Sequence, residues 1–396
     1  MKEGWTYKKL GEVGSFIRGG GFLKRDFVEN GIPCIHYGQI HTILGSVTKE
    51  HLTSIPEALR TKTRFASKGD VIFAITSEDV EGSCKCTAWM GDYDVAVGGH
   101  AAIYKHSLNP AYVSLFAKSP VFNKAKEEFV HGFKVMEIKP ADIAKIEIPV
   151  PPLSEQQRIV SRLNDAFSHI DKLKANAKKQ LSEARALFQK SLAKAIKPKK
   201  GWKEKKLSEI AQVRIGPFGS LLHKKDYISG GIPLVNPIHM IRGKIYANKD
   251  FTISVEKANE LSNYILKTND IIFARRGEIG RCALVSRNEE GFLCGTGSLF
   301  VRFNVEVDYK FLLMLFLSDY CKDYLENNAT GATMLNINSG IIENMPVVLP
   351  SISEQQRIVE RLDALSALVR ELEENQKKII SECDALKQAL LRKVFE

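Results

Sequence analysis

Two stretches of the chain carry apolar or small residues at intervals that alternate between four and three. The first runs through Ile159, Leu163, Ala166, Ile170, Leu173, Ala177, Gln180, Ala184, Leu187 and Ser191; the second through Ile358, Leu362, Leu365, Val369, Leu372, Gln376, Ile379, Cys383, Leu386 and Leu390. This spacing puts one stripe on one helix face. Sustained over more than four heptads without Pro or Gly, it predicts a coiled coil. Both stretches open on the same seven residues, SEQQRIV, at Ser154–Val160 and Ser353–Val359, behind Pro151-Pro152 and Pro350. The prolines stop what precedes them. Ser154 with Gln157, and Ser353 with Gln356, then read as capping boxes that satisfy the first free amides of a helix.

Before each helix lie about 150 residues of another pattern. Short apolar runs such as Val71 to Ile75 and Ile271 to Ala274 alternate with Gly, Pro and Asp, which predicts a compact α/β domain with irregular strands. The two halves also match each other. Gly4-Trp5 and Lys8-Lys9-Leu10 meet Gly201-Trp202 and Lys205-Lys206-Leu207; Gly31-Ile32-Pro33 meets Gly231-Ile232-Pro233; Asp70 with Ile72-Phe73-Ala74 meets Asp270 with Ile272-Phe273-Ala274; Gly132 meets Gly331. One ancestral unit is used twice, at a period too long for a solenoid.

The expected fold class is therefore α+β: two pseudo-symmetric mixed α/β domains joined and separated by two long helices. The expected division is 1–152 and 199–350 for the domains, 153–198 and 351–396 for the helices. Each helix spans about 65 Å at 1.5 Å per residue. Parallel pairing would oblige the chain to recover that length while building the second domain, with only Pro198-Lys199-Lys200 as a link. Antiparallel pairing needs no return and is the expectation.

The 396 residues are 44% hydrophobic, yet no apolar run approaches 18, so no membrane span is expected. The amino terminus MKEGWTYKKL lacks the apolar core of a secretory signal, which places the expected location in the cytoplasm. The seven cysteines form neither a disulfide framework nor zinc spacing; reduced, buried thiols are expected. The formal charge of +11 is concentrated: residues 151–200 carry +8, against +2 for 1–150, +2 for 201–350 and −1 for 351–396. A basic chain favours polyanionic partners, although a charged helix face is more often simply solvated.

Catalytic signatures are missing. The Asn-Pro pairs, Asn109-Pro110-Ala111-Tyr112 and Asn236-Pro237-Ile238-His239, do not supply the Asn/Asp-Pro-Pro-aromatic motif that holds a target amine beside a methyl donor. No Walker loop is present, the nine histidines show no ligand spacing, and Phe292 to Gly297 reads as a turn.

The proline lead-in with SEQQRIV, the stretch Asp270-Ile271-Ile272-Phe273-Ala274-Arg275-Arg276-Gly277-Glu278-Ile279-Gly280, and Gly216-Pro217-Phe218-Gly219-Ser220 together resemble the specificity subunit of type I restriction-modification systems. The resemblance covers the whole chain. It implies a non-catalytic protein in which each domain reads one half of a bipartite, asymmetric site on double-stranded DNA. It also implies that the helices fix the separation and dock two methylation subunits. S-adenosylmethionine would then belong to those subunits, ATP and Mg to the restriction and translocase subunits, and no cofactor to this chain. The first half departs from the pattern, with Ile75-Thr76-Ser77-Glu78-Asp79 in place of the basic Arg275-Arg276-Gly277 element.

Base edges are read by Arg, Asn, Gln and, more loosely, Ser, Thr and His; phosphates by Lys and Arg. By that criterion the candidates in the first domain are Lys24, Arg25, His36, Tyr37, Gln39, Thr76, Ser77, His100 and Lys134. Those in the second are Lys224, Lys225, Asn236, His239, Arg275, Arg276, Thr296, Ser298 and Thr333. Two other classes of function compete: a methyltransferase or nuclease with an unrecognised site, and a stand-alone DNA-binding or coiled-coil adaptor protein without a methyltransferase partner.

Overall fold

A computed structural model describes residues 4–197, 199–248, 250–331 and 335–396. They form two compact units, 1–178 with 377–396, and 179–376. In the first, a five-stranded sheet orders Gly14–Arg18, Ala101–His106, Val71–Ala74, Cys86–Trp89 and Val47–Thr48; beside it lies a four-stranded sheet of Thr53–Ile55, Ile32–Ile35, Val95–Val97 and Arg64–Ala66. The second unit repeats this plan. One sheet orders Ala211–Ile215, Ser298–Phe303, Ile271–Ala274 and Cys282–Leu284, the other Tyr227–Ile228, Thr252–Ile253, Ile232–Val235 and Leu293–Cys294.

The residues shared by the two halves explain themselves locally. Val71–Ala74 and Ile271–Ala274 are buried at every position, because sheet neighbours flank them and side chains cover both faces. The turns before them need a left-handed residue, supplied by Gly69 (φ 97°) in one half and Asn269 (φ 74°) in the other, the two residue types that tolerate that region best. Asp70 and Asp270 close these turns by accepting from the Ser67 and Lys267 amides, each at 2.8 Å. They are then neutralised by Lys105 at 2.8 Å and by Arg302 at 2.6 Å. The shared aspartates are structural.

The repeated SEQQRIV also has a structural purpose, though a different one from that expected. The helices run Leu153–Ile196 and Ile352–Phe395, so Ser154 and Ser353 lie inside the first turn and are not the caps. Pro152 offers its carbonyl to the amides of Glu155 and Gln156 in the first helix, and in the second Ser351 Oγ accepts from Glu354 N at 3.4 Å. The cap stands earlier because the proline-terminated strand enters the helix directly. The informative residue is the first glutamine. Gln156, 2% exposed, accepts from Asn109 N at 2.8 Å and donates to Pro151 O at 2.9 Å; Gln355 repeats this with Asp308 N and Pro350 O at the same distances. Each glutamine ties its long helix to the helix that begins after Asn109 or Asp308.

Within the first unit the partner of Asp171 is Lys387 and that of Lys174 is Asp384, both at 2.5 Å, so residue numbers fall on one helix as they rise on the other. The pairing is antiparallel. The end of the second helix docks into the first domain's core, where Phe395 lies 5.3 Å from Tyr112 and 5.4 Å from Phe116, ring to ring. In the second unit Arg185 meets Glu373 at 2.7 Å, and Leu192 and Ile196 share a core with Ile358, Val359 and Leu362.

The seam differs from the expected stripe at three positions of each helix. Leu163, Ile170, Ala177 and Ala184 are buried as the spacing predicts, but Leu173, Gln180 and Leu187 are exposed, as are Leu372, Ile379 and Leu386. Their places are taken by the next residue along: Lys174, Leu181 and Phe188 on one helix, Glu373, Ile380 and Lys387 on the other. Three of these six carry charge: Lys174, Glu373 and Lys387 are drawn to the partner helix by opposite charges, which an apolar criterion cannot see. Residues 199 apart occupy equivalent positions in the repeat, so Lys174–Asp384 and Glu373–Arg185 are one pair written twice with the signs exchanged.

Candidate nucleic-acid interface

In the second unit the chain leaves the buried strand Ile271–Ala274 and delivers Arg275 and Arg276 to a concavity of about 500 Å³, lined also by Ile215, Phe218, Gly219, Thr296 and Gly297. Arg276 is exposed and shared with an adjoining hollow of about 400 Å³ lined by Thr330, Gly331 and Asn336. Arg275 is held differently. It is 9% exposed, donates from Nε to Ile337 O at 3.3 Å, and burial together with Arg276 lowers its pKa. Arg275 thus braces the wall while Arg276 faces solvent. Phe218, 63% exposed, adds an aromatic face to the same hollow. Two cations, hydroxyls and an exposed ring in a concave surface suit phosphates and base edges.

The remaining candidates of this unit separate into two groups. Thr296 lines the concavity, and Lys224 and Lys225 are exposed on the short helix Lys224–Asp226. His239 and Ser298 are interior. His239 is 5% exposed with Nδ1 2.9 Å from Leu234 O, and burial lowers its pKa; Ser298 is fully buried and donates to Val235 O at 3.0 Å. Both shape the backbone that carries the site. Asn236 is half-buried, its carbonyl accepting from His239 N at 2.9 Å and its amide facing His239 Nδ1 at 3.2 Å. Thr333 lies outside the described residues.

The first unit builds its site from other residues. His36, Tyr37, His41 and His100 form a ring cluster, with Tyr37 4.5 Å from His36, 5.9 Å from His41 and 5.1 Å from His100 between ring centres. Burial lowers the pKa of His36, and His100 and Lys24 lower it further, so the site favours the neutral imidazole. His41 Nε2 lies 2.9 Å from Thr76 O, joining the cluster to the strand Thr76–Ser77. Lys24, Arg25, His100 and Lys134 are exposed. Gln39 is committed: its Oε1 accepts from His36 N at 2.9 Å and its Nε2 donates to Thr53 Oγ1 at 3.0 Å. Thr76 is 5% exposed, and Ser77 is half-buried. His41 was legible one helical turn after Tyr37, and Phe218 within its Gly-Pro-Phe-Gly stretch; Asn336 gave no local signal.

Among the described residues no group of three or more His, Cys, Asp or Glu could hold a metal ion, and no helix is long and apolar enough to cross a membrane. All seven cysteines are free and buried; burial pushes Cys86 up to about 11 and Cys84 to about 12, so both stay protonated thiols.

Two repeats of an α/β domain, each followed by a long helix and each carrying its own polar concavity or ring cluster, define a duplicated recognition scaffold. The family model of the type I restriction modification DNA specificity domain matches residues 2–183 and again 199–382, and the chain belongs to that family. The Type I restriction enzyme EcoKI specificity subunit of Escherichia coli (strain K12) is 23% identical over 421 residues, covering 100% of this chain and 89% of that one. The StySPI specificity subunit of Salmonella potsdam is 22% identical over 423 residues with the same coverage. Specificity subunits are the recognition components of type I systems, not the catalytic ones. A chain from a structural study of complex assembly and conformational transition of the type I R-M system shares the fold, with a TM-score of 0.81 at 18% identity over 99% of this chain and 97% of that one. The HsdS subunit from Thermoanaerobacter tengcongensis matches at a TM-score of 0.59 and 18% identity, over 100% and 97%.

Proposed function

We propose that each unit reads one half of a bipartite, asymmetric site on double-stranded DNA, and that the paired helices set the spacer and dock two methylation subunits. The observation that carries this reading is the pair of unlike sites on one repeated frame. Arg276, Thr296 and Phe218 occupy one unit, whereas His36, Tyr37, His41 and His100 occupy the other. Identical copies would suit a symmetric target; diverged copies suit two different half-sites. Methyl transfer with S-adenosylmethionine falls to the methylation subunits, and ATP- and Mg-dependent translocation and cleavage to restriction subunits, in the cytoplasm. The test is methylome sequencing of cells with and without this chain. One bipartite methylated motif should vanish with the chain, and motifs that are unaffected by its loss would refute the reading. Calorimetry should detect no stoichiometric binding of S-adenosylmethionine or ATP to the isolated chain; binding of either would restore the enzyme reading.

A further inference from the structure

In the first unit the strands His131–Gly132 and Met136–Glu137 form a hairpin whose second strand pairs with Thr76–Ser77, Met136 opposite Ser77 and Glu137 opposite Thr76. Phe133 stands at its tip, 94% exposed, the most exposed large apolar side chain among the described residues. A phenyl ring left in water forfeits the burial that usually justifies it, so its position calls for a partner. The hairpin is pinned. Gly132 takes φ 143°, where a Cβ would overlap the Val135 carbonyl oxygen; Ile138 N donates to Ile75 O at 3.0 Å, and Glu137 pairs with Arg18 at 3.0 Å. That ion pair neutralises the only acid in His131-Gly132-Phe133-Lys134-Val135-Met136-Glu137, leaving Lys134 and His131 beside the ring. The supporting strand is the one whose Thr76 carbonyl touches His41 of the ring cluster.

We propose that Phe133 inserts its ring against the base stack of the half-site read by this unit, with Lys134 on an adjacent phosphate. An apolar tip beside the Lys134 ammonium complements the apolar base stack between two anionic backbones, and apolar side chains wedged at base steps are an established means of reading deformability. The inference rests on the proposed DNA-reading function.

The test uses the full chain assembled with its methylation subunits. The probe is a duplex carrying its methylated motif, with 2-aminopurine placed in turn at each adenine of this half-site and its flanks. One position should brighten several-fold on binding as it unstacks. Phe133→Ala should abolish that signal and weaken binding about tenfold, while Phe133→Trp keeps both. Lys134→Gln should lower the slope of log affinity against log salt by about 0.9. The proposal is overturned if the wild-type complex binds and methylates but no position brightens, or if Phe133→Ala leaves signal and affinity unchanged. It is equally overturned if that variant fails to assemble while its assembled fraction binds DNA normally, which would make the ring a protein contact. A wild-type complex that binds no bipartite site would remove the functional reading, and the proposal with it.

Discussion

Glu373 offers the sharpest test of how the second unit is held to its helices. Its carboxylate is 9% exposed and lies 2.7 Å from Arg185 on the first helix and 3.4 Å from Arg242 on a hairpin of the domain. That hairpin joins Met240–Ile241 to Lys244–Ile245 through Arg242 and Gly243, both with positive φ (49° and 77°), the two-residue turn that matches strand twist but strains any residue other than Gly, Asn or Asp at its first position. At an effective dielectric near 20, each pair would attract by about 4 kcal/mol. Both arginine side chains are half or more exposed, and solvent and the desolvation of the carboxylate reduce the net to about 1 kcal/mol each. Glu373→Gln should therefore cost about 1–2 kcal/mol, or roughly 5 °C in a unit of this size. Glu373→Lys adds repulsion to the loss and should cost about 3–4 kcal/mol, or roughly 10 °C. Exchanging signs in Arg185→Glu with Glu373→Lys should recover about half of that, because Arg242 would still face a lysine. Thermal unfolding followed by circular dichroism at low salt and at about 0.5 M NaCl measures these differences, and the high salt should shrink them. If Glu373→Lys melts with the wild type, or the exchange recovers nothing beyond the sum of its single variants, the charge pairing does not hold the helices.

Three further outcomes are expected. His106 is half-buried with its Nε2 enclosed, and desolvation lowers its pKa from 6.5 to about 4, against a smaller opposing effect from Asp70. Between those values the unfolded chain binds the extra proton, so this contribution is complete above pH 6.5 and is lost as pH falls towards 4, by about 3 kcal/mol. His106→Asn, which keeps an acceptor for Leu108 N, should flatten the pH dependence of unfolding across that window. Phe395→Ala removes a ring that is 1% exposed and should destabilise the first unit by about 3–5 kcal/mol in denaturant titration. Replacing exposed Lys194, Lys197 and Lys200 by Gln should lower the salt slope of DNA binding by about 0.9 for each lysine that meets a phosphate. Lys199 is a poorer choice, being paired with Glu354 at 3.5 Å and seated over the Trp202 ring at 5.2 Å.

Much of the architecture was written in periodicity and repetition. The heptads, the prolines before them and the matched strands such as Val71 to Ala74 announce helices and paired α/β domains, because apolar burial dominates those elements. The seam was half legible. Leu173 and Leu372 looked like core residues, but opposite charges turn Lys174 and Glu373 inward instead. The repeated heptapeptide was visible, while the function of its first glutamine depended on Asn109 and Asp308, each 47 residues distant. The site was least legible. Residue type marked His239 and Ser298 as readily as Arg276, yet only folding shows that the first two are interior; likewise Phe133 looked like an ordinary apolar residue until its exposure was seen. Sequence pattern records which residues prefer water, and a recognition site is built where that preference is overruled.

The central claim, that each unit carries its own readout, is tested most directly by exchanging residues 201–350 for the equivalent domain of a relative and sequencing the methylated motifs of cells that carry the hybrid. The account predicts that one half of the motif changes while the other half and the spacer length stay as they were. A hybrid that methylates efficiently with both halves changed, or with neither changed, would contradict it.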